Sequence, residues 1–154
     1  MSKYRIADII TDEEELHKES LFVLPNSKAA VEAKAALLKV FNAHKGAMKG
    51  LSAVQVGHRV NVVLIRWNKW DTPVIYYNVK VKFKFGSKDS NEGCESEGPT
   101  RYIVKRPLLA FVEYQDEDCK VHKEWLSYTK ARVFCHEYDH TIGRLLKDHG
   151  KAVT

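Results

Sequence analysis

The segment His136-Glu137-Tyr138-Asp139-His140 constrains this chain more than any other stretch of it. Two imidazoles four residues apart leave a helix on one face, close enough to share a metal ion. Glu137 lies about 100° round that helix from His136 and about 60° from His140, since each residue advances it by roughly 100°. From there its carboxylate can reach a water beside the metal and act as general base. The pattern specifies a metal hydrolase and leaves one protein ligand to be found.

That ligand is expected upstream. His140 is followed by only fourteen residues of the 154 (154 − 140). In the longer H-E-x-x-H-x-x-G-x-x-H pattern Gly143 fits, but Leu146 stands where the last histidine belongs. A thermolysin-like site needs a later glutamate, and none follows Glu137. His149 would lie about 13 Å from His140 along a continuing helix. Upstream, Cys94, His17, His44, His58 and His122 are the nominal candidates, with many carboxylates. Cys94 stands out because it follows Gly93, a residue that permits close backbone approach and unusual dihedrals. A thiolate with two imidazoles also leaves the open position that catalysis requires. Cys135 points away from the histidine face, and Cys119 follows an acidic turn; both read as ordinary thiols.

Composition sets the frame. A chain of 154 residues is expected to form a single domain and to bury about 68–70% of its unfolded surface. No apolar run reaches the roughly 18 residues of a membrane span, and the first sixteen residues, MSKYRIADIITDEEEL, lack a signal-peptide core. Three cysteines cannot all pair within one chain, so a reducing, cytoplasmic setting is expected. The net charge of +5 is dispersed and carries no recognised nucleic-acid motif. We expect neither a DNA nor a membrane partner, although the charge permits work near RNA, including a transient ribosome contact.

Along the chain, Thr11-Asp12-Glu13-Glu14 reads as a capping box opening a short helix. Pro25-Asn26-Ser27 introduces a longer one, Lys28 to His44, with Val31, Leu37, Leu38, Val40 and Phe41 as its core stripe. A glycine-punctuated loop spans residues 46–57. Strand character follows at Val60–Ile65, Val74–Tyr77 and Val79–Phe85, then at Leu108–Tyr114 and Val121–Leu126. Val79–Phe85 alternates strictly, which places its apolar side chains on one face and its lysines on the other. The lysines read as the wet face of an antiparallel strand, with a basic binding stripe as the alternative. Residues 86–100 read as a polar loop and Thr129 to Leu146 as the metal helix. The order predicts an α+β fold: mostly antiparallel sheets packed around a central C-terminal metal-binding helix, with N-terminal helices.

Three segments together resemble the signatures of the peptide deformylases, in that family's order and at closely similar separations: Gly50-Leu51-Ser52-Ala53-Val54-Gln55, Glu92-Gly93-Cys94-Glu95-Ser96, and His136-Glu137-Tyr138-Asp139-His140-Thr141-Ile142-Gly143. The resemblance spans nearly the whole chain. It implies removal of the N-formyl group from formylmethionine at the start of a nascent polypeptide, with release of formate. Position by position, it implies Cys94, His136 and His140 as metal ligands and Glu137 as general acid/base for attack by metal-bound water. Gln55 and the backbone N–H of Glu95 would hold the oxyanion. Gly50, Leu51 and Gly93 would line the substrate site, the Gly50 loop pairing with the substrate as an added strand. The family's usual ion is Fe(II), with Zn, Ni or Co also found.

Departures from the family pattern are Met48 in place of a glycine, Ser52 in place of an alanine, Glu95 after the metal cysteine, and Cys135 before His136. Glu95 is expected to alter substrate preference. The chain also stops soon after the metal helix, as in the compact deformylases of bacteriophages. Arg101 and Arg106 are read either as orienting a carbonyl or carboxylate or as solvated, and Asp139 as supporting a histidine or as a surface ion pair. Other readings remain open: another H-E-x-x-H metallohydrolase, such as a metallopeptidase, or a non-catalytic metal-stabilised binding module.

Overall fold

The computed structural model describes residues 9–44 and 47–153; the start of the expected 46–57 loop lies outside them. Chain order is α1 (Glu13–Leu16), α2 (Lys28–Ala43), β1 (Gly50–Ser52), β2 (Val62–Ile65), β3 (Val74–Phe85), β4 (Lys88–Glu92), β5 (Tyr102–Arg106), β6 (Leu109–Gln115), β7 (Val121–Ser127), α3 (Thr129–Thr141), α4 (Leu146–His149) and β8 (Lys151–Ala152). Two sheets result, in the orders β1-β2-β3-β6-β7 and β4-β5-β8, with every pairing antiparallel. The expected α+β architecture is the one observed.

The sequence Val62-Val63-Leu64-Ile65 shows why the layers stack as they do. Successive side chains of a strand point to opposite faces. Val62 and Leu64 pack with Leu37, Val40 and Phe41 of α2, whereas Val63 and Ile65 pack with Ala131, Phe134 and Cys135 of α3. A strand buried on both faces must be apolar throughout. Thus β2 lies between the two long helices, and α3 reaches the edge strand β1 from beneath.

Several expectations need correction. Asp12, not Thr11, caps α1, its carboxylate accepting from the Glu14 amide. Val31 is 57% exposed, because it sits about 120° round α2 from Leu37; Ala30 and Ala33 complete the buried stripe instead. The expected loop 86–100 contains β4, and β5 and β8 form a second sheet with it. Strands expected at Val74–Tyr77 and Val79–Phe85 are one strand, irregular at Asn78, whose φ is 53°. Asn78 is held there by bonds with Val23 N, Val23 O and Gln115. The lysines and phenylalanines of β3 do not divide between two faces, since a register shift falls between Val81 and Phe83.

The metal helix ends at Thr141, not Leu146. Gly143 adopts φ +74°, and a Cβ there would stand 2.3 Å from the His17 carbonyl oxygen. That turn folds the chain back against α1, where His17 bonds with Asp148.

Candidate active site

Three elements converge on one cavity of about 550 Å³. Its walls are the Ala47–Leu51 segment leading into β1, the turn after β4, and the inner face of α3. Helix α3 brings His136 and Glu137 into its lining and sets His140 behind them, the imidazole centroids 5.2 Å apart, as a four-residue spacing dictates. Cys94 follows β4 at the start of a short 3-10 turn, Glu95–Glu97, and its Sγ lies 3.4 Å from His140 Nε2. One ligand atom from each of Cys94, His136 and His140 falls within 4.8 Å of the others. Among the described residues this is the group of three that could hold a metal ion.

The donor set fits such an ion. Glu92 Oε1 lies 2.8 Å from His136 Nδ1, which frees Nε2 of that ring for the cluster. His140 is buried and held well below the ordinary histidine pKa, first by burial and then by the neighbouring His136 and Arg106 charges. It is thus kept in the neutral form that binds metals. Burial also works against charge on His136. Its contacts with the Cys94 thiol and the Glu92 carboxylate outweigh that and raise its pKa well above the usual value.

Behind the histidines lies a closed ionic network. Arg106 is buried and donates through Nε and Nη2 to Glu92, at 2.9 and 2.8 Å, and through Nη1 to Asp139 at 2.7 Å. Against burial, the hydrogen bond with His136 and then the hydrogen bonds and charge of Arg106 hold Glu92 well below the carboxylate range. The expectation left a solvated role open for Arg106 and a surface pair for Asp139; both are interior groups. Arg101 stays exposed and binds the Asn91 side chain and carbonyl at 2.8 and 2.9 Å.

Glu137 is buried, and burial raises its pKa above the ordinary carboxylate value. Ser52 Oγ lies 3.0 Å from Glu137 Oε1 and 3.1 Å from the Glu137 carbonyl, two acceptors for one hydroxyl hydrogen. In the sequence, Ser52 stands out only as a departure from the family pattern. Gln55 is fixed by both ends of its amide: Oε1 accepts from the Ser52 amide at 2.9 Å, so Nε2 points to Ser96 Oγ at 2.9 Å and Cys94 Sγ at 3.4 Å. Gly50, Leu51, Gly93 and Glu95 all line the cavity, and the Glu95 side chain is exposed at its rim. Cys135 packs in the core, where burial lifts its thiol to about 11.

The family model for polypeptide deformylases matches residues 6–154. The chain belongs to the polypeptide deformylase family. Among curated members, the peptide deformylase of Finegoldia magna is 36% identical over 100 residues, covering 64% of this chain and 62% of that one. The peptide deformylase of Borreliella burgdorferi is 32% identical over 103 residues, covering 65% and 61%. These alignments span about three fifths of the relatives' length. Among solved deformylase structures, that from Thermotoga maritima matches with a TM-score of 0.80 at 25% identity, covering 97% of this chain and 98% of its own. A probable peptide deformylase from Synechococcus phage S-SSM7 matches with a TM-score of 0.80 at 29% identity, covering 92% and 96%. The Synechococcus elongatus peptide deformylase, solved with actinonin, shares the fold at a TM-score of 0.83 and 23% identity.

Proposed function

We propose that this chain hydrolyses the N-formyl group of formylmethionine at the N-terminus of nascent polypeptides, releasing formate. The observation that carries the proposal is the placement of the buried Glu137 carboxylate beside the Cys94–His136–His140 cluster, at the floor of a cavity whose wall is the edge strand β1.

Cys94, His136 and His140 would hold one divalent ion. Bound there, it would polarise the formyl oxygen and lower the pKa of a water toward ~7. A mixed thiolate–imidazole set suits Fe(II), our first assignment, and also Zn, Ni or Co.

The remaining chemistry falls to the chain itself. A water attacks the formyl carbon, and Glu137 takes its proton and delivers it to the departing amine nitrogen as the C–N bond breaks. A pKa raised by burial moves the carboxyl toward the operating pH, where the same group serves as base and then acid. Gln55 Nε2 offers a neutral donor beside Cys94 for the developing oxyanion. The Glu95 amide opens a helical turn, whose first N–H groups have no partner within it. Losing one such donor typically costs about 2.7–4 kcal/mol of transition-state stabilisation.

The open side of β1 is suited to an extended substrate chain pairing as a further strand, with Gly50 and Leu51 as its partners. Buried Met48 and partly buried Val133 line the cavity with apolar surface for the methionine side chain. Glu95 and Arg132 stand where the following residue would emerge. Such substrates arise in the cytoplasm, where we place the activity, with a transient ribosome contact permitted. Formate release from formyl-Met-Ala-Ser, assayed beside internal cleavage of an unformylated peptide, tests the reading. Formate without internal cleavage is expected; internal cleavage without formate identifies a metallopeptidase instead.

A further inference from the structure

The outer face of the five-stranded sheet, away from α3, carries an arrangement that deformylation does not use. Phe83, Phe85 and Trp125 are 61%, 62% and 51% exposed. With partly buried Phe111 they form a continuous chain of rings across three strands. Phe83 to Phe111, Phe111 to Trp125 and Trp125 to Phe85 have centroid separations of 6.1, 5.1 and 6.2 Å. Lysines flank these rings: Lys80 and Lys82 on β3 and Lys123 on β7, all within 3.9–4.0 Å of one carboxylate, Glu113. Three cations against one anion leave the cluster at +2 by formal count.

The register shift in β3 creates this face. Lys80 pairs with Glu113, which pairs in turn with Lys123, whereas Phe83 pairs with Phe111, which pairs in turn with Trp125. Residues 80 and 83 are an odd number apart, so a regular strand would put them on opposite faces. The irregularity between Val81 and Phe83 turns Phe83 and Phe85 out beside the lysines instead of in toward α3. Burying two more rings beneath the sheet would have been the ordinary use of such residues. Here they are held in the open.

We propose that this face binds single-stranded RNA. The pairing of chemistries is the argument. Every unpaired base offers a ring face that stacks on an exposed aromatic side chain whatever its identity, and the backbone brings a phosphate with each base. Flat aromatic sheets that stack bases are a recurring way of holding single-stranded RNA. A protein partner covering the rings would also have to supply acidic groups for the two positive charges that Glu113 leaves unmatched. Bases and phosphates supply both together. A second copy of the chain would bring the same lysines against their like.

The test is fluorescence anisotropy of a labelled, unstructured oligouridylate with the intact chain, at several salt concentrations. Each experiment is repeated with Phe83→Ala, Trp125→Ala, Trp125→Phe and the pair Lys82→Glu/Lys123→Glu. We expect saturable binding, weakened roughly 5- to 150-fold by either alanine substitution, the span that removal of one base–aromatic stack produces. Trp125→Phe keeps a ring and is expected to restore most of the affinity. The lysine pair is expected to flatten the dependence of log affinity on log salt by about 0.7 for each phosphate no longer neutralised, whereas the ring variants leave that slope unchanged. Formate release is expected to be unaltered in all variants, since none lines the cavity. Absence of binding, or binding indifferent to both alanine variants, overturns the proposal. So does ring-dependent adsorption to phosphatidylserine vesicles without RNA binding. Self-association abolished by the ring substitutions, again without RNA binding, overturns it too and assigns the face to a second copy.

Discussion

Glu137 and Gly50 touch so closely that a Cβ at Gly50 would stand 2.5 Å from Glu137 Oε2 and 2.9 Å from its Cδ. The first residue of the edge strand thus shapes the space around the proposed base, and no side chain fits between them. Gly50→Ala should displace the carboxylate. Misplacement on the order of 1 Å can cost ~10²-fold in rate. We expect kcat/KM for formate release to fall at least about tenfold while the bound metal, measured on the same sample, stays stoichiometric.

Ser52 bears on the same carboxylate from the other side, and its hydroxyl works against the burial that raises the Glu137 pKa. Removing it should raise that pKa further. The base must be ionised to accept a proton, so activity falls as pH drops through this value. Ser52→Ala should therefore shift the acidic limb of the kcat/KM profile to higher pH, with activity retained on the alkaline side. A profile that stays in place or moves to lower pH would separate Ser52 from the titration of the base.

Arg106 holds two buried carboxylates, Glu92 and Asp139, and through Glu92 the orientation of His136. Arg106→Leu would strip both buried acids of their guanidinium partner, leaving Glu92 only His136 and Asp139 only His149. Breaking a buried pair from one side typically costs about 3–5 kcal/mol, which a urea unfolding midpoint would register. Metal binding should weaken together with stability, because His136 would no longer have its partner fixed.

The turn after α3 is pinned by His17 and Asp148, whose atoms Nε2 and Oδ2 lie 2.9 Å apart. The His17 pKa is raised, chiefly by this hydrogen bond, and Asp148 is lowered, its backbone bond from Leu145 and His17 outweighing burial. The histidine's contribution is complete below 6.5, its unfolded value, and fades as pH rises through the higher folded one. The aspartate's is complete above 3.8 and fades as pH falls through its lower folded value. The stability difference between the natural chain and Asp148→Asn should be largest between those limits and shrink on both sides. It should remain under about 1 kcal/mol, since both groups meet solvent.

Much of the site was legible because helical spacing is rigid. Residues 136, 137 and 140 had to share one side of a helix, and Cys94 was singled out by the glycine before it. The supporting network was not legible in the same way. Arg106 and Asp139 are ordinary charged residues in sequence, and only the pairing of β4 with β5 brings Glu92 between Arg106 and His136. Strand β4 itself, Lys88-Asp89-Ser90-Asn91-Glu92, is made of residues depleted in strands. Tertiary pairing and the burial of Ser90 and Glu92 override that local preference. The end of α3 differs from the expected one because Gly143 turns the chain with φ +74°, at a position where a Cβ would meet the carbonyl oxygen of His17, more than a hundred positions distant in sequence. Ser52 carried a signal that went unused, a hydroxyl where the family has a methyl, within the segment that faces the base.

We propose that Cys94, His136 and His140 hold the ion on which Glu137 does its chemistry. The measurement that meets it most directly is anaerobic purification of the natural chain and Glu137→Gln, with metal analysis and formate release from formyl-Met-Ala-Ser on each preparation. We predict one divalent ion per chain in both, formate from the natural chain, and nearly none from Glu137→Gln. A metal-loaded Glu137→Gln that releases formate at the natural rate would contradict the account.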